Sequence, residues 1–119
     1  MSSATVPVHA EIPPPAIQEV SNGIYAYIQL DGSWFLNNAG CIVGAQTATV
    51  IDSTGTEARA RAFHAAVRAV TPLPVTALVN THSHGDHTHG NFMFADSAIV
   101  ASERCRREII ASGTVAHAL

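Results

Sequence analysis

Directly after the apolar run Val75-Thr76-Ala77-Leu78-Val79-Asn80, the chain reads T-H-S-H-G-D-H-T-H-G-N from Thr81 to Asn91. His82, His84, Asp86 and His87 fall within six consecutive positions, with Gly85 between the two halves. Packing alone calls for no such crowd of imidazoles and carboxylate. These are the side chains that hold divalent first-row metals. The run before them has the length and β-branched content of a buried strand. A fold that accommodates this stretch must therefore end a buried strand in a ligand-bearing loop.

The local geometry expected of that loop favours two ions. In extended backbone, residues two apart share a face, so His82 and His84 can grip one ion together. Gly85 then allows a sharp turn that carries Asp86 and His87 to a second position. Zinc lies about 2.0–2.2 Å from nitrogen or oxygen ligands and takes four of them, so two protein ligands per ion leave each site half filled. Ions about 3.5–4 Å apart also need bridging anions. The bland alternative is a polar, histidine-rich loop that meets metal only by accident.

The rest of the chain predicts an α/β (α+β) domain around this loop. Residues 1–16 are polar and proline-bearing, with Pro13-Pro14-Pro15 setting an extended lead, and are expected to form a loose arm. The domain is expected over 17–119. Ile24 to Leu30 reads as a strand between Asn22-Gly23 and Asp31-Gly32, the latter a tight hairpin returning through Trp34-Phe35-Leu36. Gly40 to Val43 and Thr47 to Asp52 read as further strands.

After Asp52 the period changes. Thr54 and Glu57 have capping-box spacing, with Glu57 expected to reach back to the Thr54 amide. Phe63, Ala66, Val67 and Val70 then mark the core side of a helix, and Glu57, Arg61, His64 and Arg68 its wet side. Pro72 and Pro74 end it. Beyond the cluster, Ala98 to Ala101 reads as a strand, and Ser102 caps a helix that Gly113 closes.

At the cluster and its approach the chain resembles the metallo-β-lactamase fold superfamily. T-H-S-H-G-D-H after V-T-A-L-V-N is similar to that family's HxHxDH signature, and the preceding meander, V-I-D-S-T-G and helix match its N-terminal half. The resemblance spans roughly Ile17 to Ser112. It implies the αβ/βα sandwich, here its N-terminal αβ half, with metals at one edge between two sheets. It implies His82 and His84 on the first metal, Asp86 and His87 on the second, and Asp52 as buried support for the loop. The implied function is that of a di-zinc hydrolase acting on the carbonyl of a lactam, ester, lactone or thioester. Water activated on the metal would attack, and Asp86 would orient it or take its proton. A second class sharing the motif, persulfide dioxygenase-like, holds one iron and oxidises.

Several expectations follow from what the family adds and this chain lacks. The family closes its first site with a later histidine and then a bridging aspartate. After Asn91 this sequence has His117 as its one histidine, past the expected helix stop, and Asp96, in a loop before a strand. The chain is therefore read as truncated, with pairing to a missing C-terminal half or self-association as alternatives. Four strands would present on the order of 350 Å² of projected sheet face with no cover, close to what a monomer tolerates. The non-enzyme alternative is an inert or regulatory half-fold.

Composition bounds partners and location. The six cations are all arginines, and the formal charge is −3. That balance argues against nucleic acid or an anionic membrane as partner and disfavours the family's nucleases. A small-molecule substrate is expected instead. No apolar run reaches the roughly 18 residues that span a bilayer. The start carries no signal-peptide pattern, and Cys41 and Cys105 read as two free thiols, so a cytoplasmic location is expected. Trp34 and Phe35 read either as groove walls or as core. His89 reads as a contact behind the ligands or as an incidental loop residue. His9 reads as solvated.

Overall fold

The computed structural model describes residues 14–29 and 35–118, with side chains through 112. Most of the N-terminal arm, including His9, lies outside the described residues, as do the Asp31-Gly32 turn, Trp34 and the His117 side chain.

The elements are β1 (Ala16–Ser21), β2 (Ile24–Ile28), β3 (Ala39–Val43), β4 (Ala48–Ile51), α1 (Glu57–Val70) and β5 (Val75–Val79). They continue with α2 (Gly85–Thr88), a 3-10 segment (His89–Phe94), β6 (Ala98–Val100) and α3 (Glu103–Ala118). The strands form one sheet in the order β1-β2-β3-β4-β5-β6. Successive pairs from β1 to β4 are antiparallel. β4, β5 and β6 are parallel, so the chain must cross over between them. α1 makes the first crossover, and the histidine cluster with its short helices makes the second. A meander that turns into parallel strands with helical crossovers is the α+β arrangement expected from the sequence.

Burial explains why α1 lies where it does. Ala60, Phe63 and Val67 are fully buried, Phe63 and Val67 against Tyr27, Cys41, Ala48, Val50 and Leu78 of the sheet. The Phe63 ring centroid is 4.9 Å from that of Tyr27 and 5.8 Å from that of Phe94. Removing apolar side chains of this size from water contributes about 1.5–3 kcal/mol each. Glu57 and Arg61 pair at 2.9 Å on the solvent side. His64, expected among the wet residues, is half-buried instead, its ring 5.5 Å from that of Phe94.

The other face of the sheet is different. Alternation along the paired strands puts Ile24, Ile42 and Val100 there, and they are 42%, 43% and 48% exposed. Ile51 and Val79 lie on the same face, half-buried.

Four local expectations need correction. β1 had no strand assigned to it, because A-I-Q-E-V-S alternates poorly and buries only Ile17 in part. β2 turns back onto β1 through Asn22-Gly23, where Gly23 has φ 76° and a Cβ would lie 2.9 Å from the Val43 carbonyl. The expected return strand through Phe35 and Leu36 is not formed, since β2 pairs with β1 and β3. The α1 cap is Thr56, whose hydroxyl accepts from the Arg59 amide at 3.2 Å, while Glu57 turns to Arg61. α3 does not stop at Gly113 but continues to Ala118. Its start is as expected, with the Cys105 amide donating to Ser102 Oγ at 3.1 Å. Among the described residues, no helix is long and apolar enough to cross a membrane.

Candidate metal centre

Because β4 and β5 are parallel, Asp52 and Asn80-Thr81 leave the sheet at the same edge. Carboxyl ends of parallel strands are where α/β folds place their ligand sites. Asp52 sits in the left-handed region at φ 62°, a conformation aspartate tolerates better than most residues. Its amide donates to the Val79 carbonyl at 2.7 Å. That bend turns the buried carboxylate under the loop.

The carboxylate then collects three donors. The Thr81 amide reaches Oδ1 at 2.8 Å, and the Thr81 hydroxyl reaches Oδ2 at 2.8 Å. His87 Nδ1 lies 2.9 Å from Oδ2. A carboxylate only accepts, so His87 carries its proton on Nδ1 and turns the Nε2 lone pair outward. The Thr81 hydroxyl spends its one proton on Asp52, so the 2.9 Å contact with His82 Nδ1 must be donated by the ring. His82 therefore also presents an Nε2 lone pair. One buried carboxylate sets the tautomer of two histidines.

The backbone of the loop is held as firmly. The His87 carbonyl accepts from the Ser53 amide at 2.9 Å and from Asn80 Nδ2 at 3.0 Å, with Ser53 Oγ at 3.1 Å. Asn91 Nδ2 donates to Asn80 Oδ1 at 2.7 Å, and Asn37 Nδ2 to the Ser53 carbonyl at 2.7 Å. Ser53, Asn80 and Asn37 are buried, and such groups are tolerated there because they bond one another. The Thr88 hydroxyl donates to the His84 carbonyl at 3.1 Å.

The predicted ligands come together in part. The His82 ring centroid lies 4.8 Å from that of His84 and 4.2 Å from that of His87. Asp86 Oδ2 is 3.5 Å from His87 Nε2. Among the described residues, however, no three histidine, cysteine, aspartate or glutamate side chains close around one ion position. His82 and His84 flank a cleft of about 300 Å³ that α3 lines with Ser102, Arg104, Cys105 and Glu108. Glu108 accepts from Ser83 Oγ at 2.7 Å and from Arg104 Nε at 3.3 Å, and these bonds hold its carboxyl below the usual range. Burial pushes the Cys105 thiol up.

Gly85 acts otherwise than expected. Its φ is not in the left-handed region, and α2 begins there. A Cβ at Gly85 would lie 2.5 Å from the His89 ring and 2.9 Å from Phe35 Cζ. The glycine is needed for space. His89 packs over it with its ring 5.5 Å from that of Phe35. Phe35 thus belongs to the floor beneath α2. His64 lies against Phe94, and Asp96 is exposed in the turn before β6.

A model of the metallo-beta-lactamase superfamily matches residues 32–117. The chain belongs to the metallo-beta-lactamase superfamily. Its fold is similar to that of the metallo-beta-lactamase TMB-1, with a TM-score of 0.68 at 21% identity over 86% of this chain and 49% of that one. A metallo-beta-lactamase from Hirschia baltica gives a TM-score of 0.67 at 17% identity over 85% of this chain and 49% of that one. FIM-1 from Pseudomonas aeruginosa, in a mono-zinc form, gives 0.67 at 12% identity over 87% and 48%. The chain spans about half the length of these solved metallo-beta-lactamases.

The sequence does not single out Thr81, Ser53, Asn80 or Asn91, and Glu108, which reads there as part of a solvated helix face over 103–108, accepts from Ser83. Asn80 carried a signal: a polar residue closing an otherwise apolar strand has to find partners at the strand end.

Proposed function

We propose that this chain carries the metal-binding half of a zinc-dependent hydrolase whose substrate is a lactam, ester, lactone or thioester. The observation that carries this reading is the shared Asp52 carboxylate, which leaves the Nε2 lone pairs of His82 and His87 outward beside His84 and Asp86. Superfamily membership supports the reaction class.

In this reading His82 and His84 hold one zinc ion, and Asp86 and His87 a second. A bound zinc ion would lower the pKa of its water towards neutrality and polarise a carbonyl. The chain's own residues do the rest. Asp52 keeps both imidazoles in the metal-binding tautomer. Asp86, at 3.5 Å from His87 Nε2, is the carboxylate placed to orient the attacking water or hold its proton. The cleft beside His82 and His84 gives a small substrate room to approach.

The test is equilibrium dialysis of the chain against zinc, which reads bound metal with free metal still present. Retention of zinc that His82→Ala and His84→Ala each reduce is the expected result. A chromogenic lactam and a thioester should turn over only slowly on these 119 residues, because two protein ligands hold each ion loosely. Failure to retain zinc, or iron at one per chain in its place, would sink the proposal.

A further inference from the structure

We propose that Glu108 of α3 is a positioning residue for the His82–His84 pair, an inference that rests on the metal reading above. Asp52 orients His82 and His87, but its reach ends there. Among the described residues, the His84 ring makes no hydrogen bond. His82 and His84 are both exposed, in irregular backbone between Thr81 and the start of α2. Their carbonyl side is held: the His87 amide and the Thr88 hydroxyl donate to the His84 carbonyl at 2.9 and 3.1 Å. A further side-chain contact ties this short segment to α3. Ser83, between the two histidines, donates its hydroxyl to Glu108 Oε1 at 2.7 Å.

Glu108 is well set to act as an anchor. Its second oxygen accepts from Arg104 one helical turn earlier, which limits its rotamers. The helix is itself fixed at its start by the Ser102 cap and by the buried Cys105, on the wall of the same cleft. A charge-assisted bond of this length is about twice as strong as a neutral one. The cluster is thus held by two carboxylates from two different elements. Asp52, at the end of β4, serves His87 and, through Thr81, His82. Glu108, on α3, serves the backbone that carries His82 and His84. Partners of this kind behind metal ligands change affinity by about 10–100-fold when removed. A bond this exposed belongs at the lower end.

Four variants of the full chain decide the matter: Glu108→Ala, Ser83→Ala, the double variant and Glu108→Gln. The first readout is nitrogen-15 backbone relaxation of Ser83 and His84 without metal, which reports picosecond-to-nanosecond order. The second is zinc affinity by competition with a chromophoric chelator. Each single alanine variant should lower the order of residues 82–84 and weaken zinc by on the order of 10-fold. The double variant should be no worse than either single one, because one shared contact is lost once. Glu108→Gln, which still accepts from Ser83, should stay within about twofold of the parent. Unchanged relaxation in Glu108→Ala, or additive losses in the double variant, would overturn the proposal. So would a loss traced to a lowered unfolding midpoint. If the parent chain took up no zinc, the metal reading would fall, and the relaxation data alone would decide the tether.

Discussion

Asp52 and His82 do not touch, yet the Thr81 hydroxyl joins them, 2.8 Å from the Asp52 carboxylate and 2.9 Å from His82 Nδ1. The same carboxylate oxygen also accepts a hydrogen bond from Nδ1 of His87, which lies thirty-five positions along the chain. Two ligand rings are therefore aimed by one acceptor. Asp52→Asn should keep the bend, since asparagine also tolerates φ near 62°. It places an amide where two donors meet, so at least one bond must break. The expected result is a stability loss of about 1–3 kcal/mol in urea unfolding. Zinc affinity should fall by roughly 10–100-fold. An unaltered affinity would show that the shared carboxylate does not orient the rings.

Gly85 is a matter of space. Gly85→Ala pushes a methyl group to 2.5 Å from the His89 ring and 2.9 Å from Phe35. The strain should cost about 1–3 kcal/mol. Adding His89→Ala removes the nearer obstacle, so the double variant should recover part of the loss in thermal or urea melts. Strictly additive losses would place the strain elsewhere.

His64 gives the fold a pH dependence that can be isolated. Burial against Phe94, and then the charge of Arg68, lower its pKa below the ordinary 6.5. The folded state therefore binds fewer protons at this site than the unfolded one. The stability tied to this site is fully present above the unfolded pKa and is lost as pH falls through the depressed folded value. Urea midpoints compared at pH 7.5 and pH 5.5 should fall less for His64→Gln than for the parent. Equal slopes would exclude this site as a source.

Thr54 Oγ1 is, among the described residues, a buried side-chain oxygen with no hydrogen-bond partner. An unpaired buried hydroxyl costs about 1–3 kcal/mol. Valine has nearly the same shape, so Thr54→Val should raise stability by about 1 kcal/mol in urea unfolding. A destabilised variant would mean that the hydroxyl has a role beyond shape.

Cys41 is 1% exposed, and burial pushes its thiol up, so in the folded chain it should be almost inert to alkylation. Mass spectrometry after a timed iodoacetamide pulse should find it unmodified in buffer and modified in urea.

Much of this architecture was written in local pattern. The Phe63–Val67 side of α1 and the strand before the cluster both follow from side-chain periodicity, which depends on near neighbours alone. β1 did not, because an edge strand needs little apolar content and draws its order from its partner. The helix cap went to Thr56 over Thr54 because the Thr54 carbonyl is taken by the Gly90 amide at 2.8 Å, a tertiary contact. Gly113 did not end α3, since a glycine inside a helix costs only about 1 kcal/mol. The polar lattice of Ser53, Asn80 and Asn91 was hidden for a further reason. It exists only once β4 and β5 lie side by side.

That pairing has a consequence for the order in which the molecule assembles. The bonds from Asp52 and Ser53 to Thr81, His87 and Asn91 bridge 29 to 38 positions. Helix α1 and the β1–β2 and β3–β4 hairpins close over far shorter spans and meet a smaller entropic barrier. The histidine loop is thus the late arrival in folding, shaped against a sheet and helix that are already in place. In the reverse direction it should be the first part to loosen under mild denaturant, while Phe63 is still packed beneath it.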